Sequence, residues 1–211
     1  DELSPEAQLI GAVNTVLNDN GKLIGYNTDG YGFMQSVRDA GHDITGKNIT
    51  VMGVGGASMA ICAQSALDGA ASVHIFARRT SRYWNRTQKF AENLSAKTGC
   101  QVCLFDNDDH TALRDSIAQS YLLINATSVG MVPDIDDTII KDTSLFHPEL
   151  VVADVVYEPQ ETRLLREAKA AGCQTFNGMY MLLHQGAKAF QIWTGQEMPV
   201  SVIKEKYFSV K

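Results

Sequence analysis

Short apolar runs alternate with longer segments of helical periodicity over most of this chain. The runs predicted to be strands are "NITVMGV", "SVHIFA", "QVCLF", "YLLINAT", "LVVADVVY" and "QTFNG". The segments predicted to be helices are "ASMAICAQSALDG", "YWNRTQKFAENLSAKTG", "DHTALRDSIAQ", "ETRLLREAKAAG" and "MYMLLHQGAKAFQIWTG". Strands separated by helices require right-handed parallel crossovers, and continuously apolar strands fit a sheet covered on both faces. The pattern therefore predicts a doubly wound α/β domain with a parallel sheet.

The two ends of the chain follow other patterns. Near the start, "GAVNTVLNDNGKLIGYNTDG" predicts two strands joined by a tight turn, and "YGFMQSVRDAG" predicts a helix. The opening "DELSPEAQLIG" is typical of the middle of a helix, and the first residue is not Met. We therefore expect a fragment or a processed form. "VSVIKEKYF" predicts a short closing helix.

Composition excludes several classes of function. The chain has 211 residues, 45% of them hydrophobic and 20% charged, as in ordinary globular proteins. A net charge of -6 argues against a nucleic-acid partner, and no apolar run is long enough to predict a membrane span. The pair Cys100 and Cys103 has no second pair to complete a metal site. We expect no metal, reduced thiols and a cytoplasmic location.

A glycine-rich loop, "VMGVGGASMA", joins the first strand of the predicted domain to its helix. Gly53, Gly55 and Gly56 would let a pyrophosphate approach backbone N–H groups at the positive end of the helix. The loop reads G-x-G-G-A-S, because Ser58 occupies the third glycine position of the G-x-G-x-x-G pattern. In its strand–loop–helix context it predicts dinucleotide binding, with a plain tight turn as the alternative.

The end of the second strand bears on the choice of cofactor. "FARRTSR" carries Arg78, Arg79 and Arg82 and no carboxylate. An acidic residue there would bind the ribose hydroxyls of NAD, whereas guanidinium groups match the 2′-phosphate of NADP. The segment favours NADP, with a solvated basic turn as the alternative.

Several further stretches have ordinary explanations when they are taken singly. Asn14 could cap a turn, Tyr157 could anchor a core edge, and Gln185 could be a polar residue on a helix surface. Taken together and in order, six motifs resemble the shikimate dehydrogenase family, including its quinate/shikimate branch. They are "GAVNTV", "GYNTDG", "GVGGAS", "NATSVGM", D-V-V-Y-E-P-x-x-T-x-L-L and G-M-x-M-L-L-x-Q-G-A-x-A-F, and they extend from about residue 1 to residue 195.

The resemblance implies a two-domain enzyme with its active site in the cleft between the domains. An N-terminal α/β domain would hold most of the substrate, and a C-terminal Rossmann-type domain would hold NADP or NAD. By resemblance, Asn14, Asp29 and Gln185 contact hydroxyls of a shikimate- or quinate-type substrate, and Tyr157 lies near the nicotinamide or substrate. The implied cofactor-binding residues are Gly53, Gly55, Gly56, Ala57, Ser58, Arg78, Arg79, Thr80, Arg82, Thr127, Gly178 and Met179.

The chain also departs from the family pattern. The family's catalytic Lys, in an N-x-T-x-P-x-K type motif, and its paired serines for the substrate carboxylate do not occur in this chain. Many NADP-using members have N-R-T where this chain has "RRT", and NAD-using relatives tend to place Asp at the position of Thr80. The absence of that Asp favours NADP.

Because the motifs of the N-terminal domain are absent, we predict a remnant of the substrate-binding domain at 1–30, a connecting helix at 31–45, a Rossmann-type domain at 46–195 and a C-terminal helix at 196–211.

Asp29 is the predicted catalytic residue of this chain. A carboxylate hydrogen-bonded to a Lys and to a substrate hydroxyl can orient that hydroxyl and help to pass its proton as hydride leaves the carbon. His184 adjoins Gln185, but neighbours on a helix point about 100° apart, so we interpret it as structural. Without the Lys, this chain alone is expected to be inactive.

The predicted function is that of an NADP-dependent shikimate dehydrogenase, which reduces 3-dehydroshikimate to shikimate in aromatic amino-acid biosynthesis. The alternatives are an NAD-dependent quinate/shikimate dehydrogenase and a non-catalytic nucleotide-binding module. The expected partners are a small-molecule substrate and, as a candidate assembly, a second copy in a homodimer. Neither nucleic acid nor membrane is expected.

Overall fold

The larger part of the fold is a six-stranded parallel sheet. The computed structural model describes residues 1–208. The strands of this sheet are β4 (Asn48–Met52), β5 (Ser72–Ala77), β6 (Gln101–Asp106), β7 (Leu122–Asn125), β8 (Val151–Asp154) and β9 (Gln174–Phe176). Their order across the sheet is β6-β5-β4-β7-β8-β9, so the chain winds outward in both directions from β4. This is the predicted doubly wound α/β fold, with its strand-order reversal between β4 and β7.

Helices cover both faces of this sheet. They are α3 (Gly56–Leu67), α4 (Trp84–Thr98), α5 (His110–Gln119) and α6 (Arg163–Ala170). The last long helix, α7 (Met179–Thr194), packs mainly against α2 (Asp29–Asp39). Successive strand residues belong to different cores: Val51 packs into one buried cluster, and Met52 packs into another. Because side chains alternate along a strand, a strand that is apolar at every position needs cover on both sides.

A second, three-stranded sheet lies near the start of the chain. It contains β1 (Glu2–Leu3), β2 (Thr15–Asp19) and β3 (Lys22–Tyr26) in the order β1-β3-β2. The β2–β3 hairpin turns at Asn20 and Gly21, whose φ angles of 51° and 95° are both left-handed. Asn-Gly is the pair that such two-residue turns prefer, so "NDNG" makes the predicted hairpin.

The opening of the chain is not the middle of a helix, and that expectation was wrong. A short helix, α1 (Pro5–Ile10), begins only after Ser4, whose hydroxyl accepts a 3.2 Å hydrogen bond from the Ala7 N–H. Ser before Pro is a helix-start signal, because Ser caps the first turn and Pro needs no N–H partner there. Residues before this cap are therefore free to form β1.

The predicted connecting helix and C-terminal helix differ from the observed elements in their bounds. The connecting helix, α2 (Asp29–Asp39), begins at Asp29 rather than at residue 31. Near the end, α8 (Val200–Ile203) continues as a π-helical turn, Lys204–Phe208. Residues 209–211 of the predicted helix 196–211 lie outside the described residues. None of the helices in the described part of the chain is long and apolar enough for a bilayer crossing.

Candidate functional site

The site lies at the carboxyl ends of the parallel strands, beside the strand-order reversal. In open α/β sheets this edge is where loops diverge and leave a crevice. The loops after β4, β5, β7 and β8 line clefts at this edge. The predicted substrate residues Asp29 and Gln185 lie on α2 and α7. Parallel strands thus bring together motifs that are far apart in the sequence.

The glycine loop after β4 leaves open space in front of α3. Gly53 has φ +113°, and a Cβ there would lie 2.8 Å from Thr127 Cγ2, so a side chain would collide with the loop after β7. Gly55 caps α3, and a Cβ on Gly55 or Gly56 would meet no atom of the described part of the chain within 4 Å. Exposed N–H groups at the start of a helix, with no side chain in front, fit a pyrophosphate.

Ser58 supports this loop from behind. Its side chain is buried, and its hydroxyl donates a 2.6 Å hydrogen bond to the Gly53 carbonyl. Ala57 packs against the core beside it. Ser58, at the third glycine position of the motif, thus holds Gly53 in place through its hydroxyl. Gly55 and Gly56 form the open face of the loop.

The basic turn after β5 borders a cleft of about 540 Å³. Its lining includes Gly53, Gly55, Arg78, Thr80, Arg82 and Thr127. Among the described residues that line it, none is acidic. Arg79 does not line the cleft. Its guanidinium lies over the ring of Trp84, 4.8 Å from the ring centroid. Two of the three predicted arginines therefore face the cleft, and the third stacks on an aromatic ring.

Asn14 connects the predicted substrate residues. Its side-chain amide lies 2.9 Å from Asp29 Oδ1 and 3.4 Å from Gln185 Oε1. Its carbonyl oxygen accepts a 3.0 Å hydrogen bond from the Thr28 N–H. Asn14, just before β2, therefore brings its amide close to polar side chains of α2 and α7.

Glycines in α2 make this approach possible. A Cβ on Gly32 would lie 2.7 Å from the backbone nitrogen of Gln185 on α7. A Cβ on Gly30 would lie 2.4 Å from the carbonyl oxygen of Ala60 on α3. Side chains at these positions would push α7 and α3 away from α2. The glycines of "TDGYG" therefore set the spacing between Asp29 and Gln185.

Asp29 is half-buried, and burial disfavours the charged form of its carboxyl. Burial raises the pKa of its carboxyl above the ordinary 3.8, and the hydrogen bond from Asn14 offsets part of that shift. A carboxyl with a raised pKa can exchange a proton nearer to neutral pH than an exposed Asp can.

The loop after β8 borders a neighbouring cleft of about 510 Å³. Tyr157 and Thr127 are among its lining residues, and the Tyr157 side chain is 42% exposed. A Cβ on Gly178 would lie 2.0 Å from the Val155 carbonyl oxygen, so only glycine allows α7 to begin there. The Met179 N–H, at the start of α7, donates to the Asn177 side chain at 3.1 Å. Thr127 lines both clefts, which therefore adjoin at this residue.

His184 and the cysteines lie apart from these groups. His184 is buried, and its Nε2 lies 3.0 Å from Asp39 Oδ2 on α2, in agreement with its interpretation as structural. Burial raises the pKa of Cys62 to about 12 and that of Cys100 to about 11, which keeps both thiols neutral.

The sequence analysis did not single out Asn125 and Asp154, although both stand inside quoted motifs. They are the last residues of β7 and β8 and are paired in register. Both are buried, and Asn125 Nδ2 donates to Asp154 Oδ1 at 3.0 Å. The available signal was a polar residue at the carboxyl end of a strand that is otherwise fully apolar.

Comparison with known proteins gives concordant matches. Residues 178–206 match the family described as "Shikimate 5'-dehydrogenase C-terminal domain". The chain is 52% identical over 208 residues to a shikimate dehydrogenase (NADP(+)) of Listeria innocua, with 99% of this chain and 71% of the relative covered. It is 42% identical to a quinate/shikimate dehydrogenase of Escherichia coli, with 97% and 71% covered.

A solved structure agrees in three dimensions. Shikimate 5-dehydrogenase from Listeria monocytogenes, in complex with shikimate and NAD, superposes with a TM-score of 0.94 at 52% identity. The match covers 97% of this chain and 71% of that protein. The described fold is therefore shared over nearly its full length.

Proposed function

Because this chain belongs to the shikimate dehydrogenase family, we propose that it is an NADP-dependent shikimate dehydrogenase, which reduces 3-dehydroshikimate to shikimate in aromatic amino-acid biosynthesis. The observation that carries the proposal is the meeting of the Asp29 and Gln185 side chains at the side-chain amide of Asn14. Amide and carboxyl groups at one point suit a substrate with several hydroxyls. The relative named quinate/shikimate dehydrogenase is less similar, at 42% identity against 52%, so the quinate alternative is not favoured.

The residues of the cofactor clefts fit NADP. The open N-terminus of α3 in front of Gly55 and Gly56 suits the pyrophosphate, and Arg78 and Arg82 suit the 2′-phosphate. Thr127, Tyr157 and the Gly178–Met179 segment would border the nicotinamide end, with Ala57 and Thr80 completing the pyrophosphate and ribose contacts. When bound, the nicotinamide supplies the hydride-transfer chemistry.

The chain's own residues would bind the substrate, orient it and exchange a proton with it. Asn14 can bind a substrate hydroxyl and fix the position of the Asp29 carboxyl. Gln185 supplies both a donor and an acceptor on α7. Asp29, with its raised pKa, would orient the reacting hydroxyl and take part in its proton transfer, together with the family's Lys where that Lys is present.

Steady-state kinetics test this function. The protein expressed from its complete coding sequence is assayed with shikimate or quinate, each with NADP or NAD. The expected result is the highest kcat/KM for shikimate with NADP. A higher kcat/KM for quinate with NAD would favour the quinate/shikimate alternative. Nucleotide binding without turnover for any pair would favour a non-catalytic module.

The chain of 211 residues offers a second test. It contains the glycine loop and Asp29 but no N-x-T-x-P-x-K motif, so we expect it to bind NADP and not to turn over shikimate. General acid–base transfer contributes roughly 10²–10⁴-fold in such reactions. The measurement follows the absorbance of reduced nicotinamide. Turnover equal to that of the protein from the complete coding sequence would place every essential group within this chain.

A homodimer and a cytoplasmic location complete the proposal. Val16 and Leu23 of the small sheet are 50% and 47% exposed, and such apolar side chains are available to a second protein surface. Sedimentation equilibrium of the purified protein tests the dimer. A monomer at all concentrations would contradict it.

A further inference from the structure

Asp154 is the centre of a buried hydrogen-bond network behind the 510 Å³ cleft. The residue is 0% exposed and ends β8. Its Oδ1 accepts from Asn125 Nδ2 at 3.0 Å and from the Val156 N–H at 2.9 Å. Its Oδ2 accepts from the Thr162 hydroxyl at 2.7 Å. Burial raises the pKa of Asp154 to about 6, and among the described residues it is hydrogen bonds, from Val156, Thr162 and Asn125, that oppose that shift.

Through Asn125 the network reaches the loop after β7. Asn125 Oδ1 accepts from the Thr127 hydroxyl at 2.7 Å and from the Thr127 N–H at 3.1 Å. The second N–H of the Asn125 amide donates to the Val129 carbonyl at 3.2 Å. All the donors and acceptors of this amide are therefore in use, and they define one arrangement of residues 127–129.

Through Val156 the network reaches the loop after β8 and the start of α7. The Asp154 bond to the Val156 N–H turns the chain out of the sheet at the point where the predicted strand "LVVADVVY" would have continued. The Val156 carbonyl then accepts from the Gly178 N–H at 3.2 Å. Tyr157 follows directly, so its backbone position depends on the same carboxyl group.

The two loops that Asp154 joins are the two that border the cleft, because Thr127, Val156 and Tyr157 all line it. We propose that Asp154 is a positioning residue of the reaction: by holding both loops in one arrangement, it places the nicotinamide end of the cofactor against the substrate. The inference rests on the proposed function. Asp154 itself is fully buried and contacts neither ligand space, so it would act through Thr127 and Tyr157.

Three variants test the role in the protein expressed from its complete coding sequence. Asp154→Ala removes the centre of the network, and Thr162→Val removes one bond at nearly constant volume. Asp154→Asn keeps the Oδ1 acceptor, and its new N–H₂ group can donate to the Thr162 hydroxyl oxygen. Thr50→Val is the matched control, because Thr50 is buried and its hydroxyl pairs with that of Ser120 at 2.8 Å, away from both clefts.

Two readouts separate positioning from a general loss of structure. The first is kcat and KM with shikimate and NADP. The second is the affinity for NADP and for 2′-phospho-ADP-ribose, which lacks the nicotinamide. A misplacement of about 1 Å can cost about 10²-fold in rate, and we expect Asp154→Ala to lose about that much in kcat. Its affinity for 2′-phospho-ADP-ribose should be unchanged. The kcat of Thr162→Val should fall by less than that of Asp154→Ala. The kcat of Asp154→Asn should be close to that of the unmodified protein, and the kcat of Thr50→Val should be unchanged.

Unchanged kcat in folded Asp154→Ala would overturn the inference. If that variant does not fold, unchanged kcat in Thr162→Val has the same meaning. If Asp154→Ala loses affinity equally for both nucleotides, and Asp154→Asn does not restore it, the network only supports the structure and does not position the reacting groups. Absence of shikimate turnover in the unmodified protein would instead contradict the proposed function, while the comparison of the two nucleotides would still test the role of Asp154.

Discussion

The side-chain amide of Asn14 donates to the carboxylate of Asp29 across 2.9 Å, although 15 positions separate the two residues along the chain. The β2–β3 hairpin lies between them and brings its two ends together, because Thr15 pairs with Tyr26. The hydrogen bond holds one Asp29 oxygen in a fixed direction. The carboxyl is thus oriented before any substrate is bound.

Replacing Asp29 with Asn should abolish most of the turnover with little effect on folding. Asn keeps the size and the hydrogen-bonding capacity of the side chain but cannot exchange a proton, so kcat should fall roughly 10²–10⁴-fold. Asp115→Asn, on the exposed side of α5, is the control. The measurement is steady-state turnover of shikimate with NADP. Retained kcat in Asp29→Asn would assign the proton transfer to another group.

Gly55→Val should prevent NADP binding and leave the fold intact. Gly55 has φ −78°, which valine can adopt, and a Cβ there meets no atom of residues 1–208 within 4 Å. The added side chain would instead occupy the space proposed for the pyrophosphate. Calorimetric titration measures binding, and urea unfolding measures stability. Unchanged affinity would mean that the glycine loop is only a turn.

Arg78→Ala should weaken binding of NADP more than that of NAD, because Arg78 lines the cleft proposed for the cofactor. Loss of one charged hydrogen bond would cost roughly 1.5–3 kcal/mol of binding free energy. Arg79, which stacks on Trp84 and does not line the cleft, should contribute less. Titrations of Arg79→Ala and Arg82→Ala rank the three arginines, with Arg166→Ala on α6 as the control. An equal loss for both nucleotides would argue against recognition of the 2′-phosphate.

Asp154 should make the protein less stable as pH rises between its ordinary pKa of 3.8 and its folded-state pKa of about 6. The folded state holds the proton in that window while the unfolded chain has released it, so the contribution is full below pH 3.8 and lost above about 6. Its size is on the order of 3 kcal/mol. Denaturant unfolding of the wild type and Asp154→Asn over this range measures it. Parallel pH profiles for both proteins would contradict the prediction.

The architecture could be predicted from the amino-acid pattern, because periodicity and local turn chemistry report burial directly. Apolar strands such as "NITVM" and "LVVAD" require cover on both faces, and helices between them force parallel crossovers. The glycine loop and the order of the motifs were enough to name the family. The opening segment is not the middle of a helix, because Ser4 and Pro5 together start α1.

Which residues share a site, and what each side chain contacts there, depends on packing between elements. Nothing local in the sequence separates Arg79, which stacks on Trp84, from Arg78, which faces the cleft. Ser58 reads as a loop residue, yet its hydroxyl is buried on the Gly53 carbonyl. Asn125 and Asp154 meet only because neighbouring parallel strands end in register. Burial, pKa and hydrogen-bond partners depend on distances between elements, which packing alone sets.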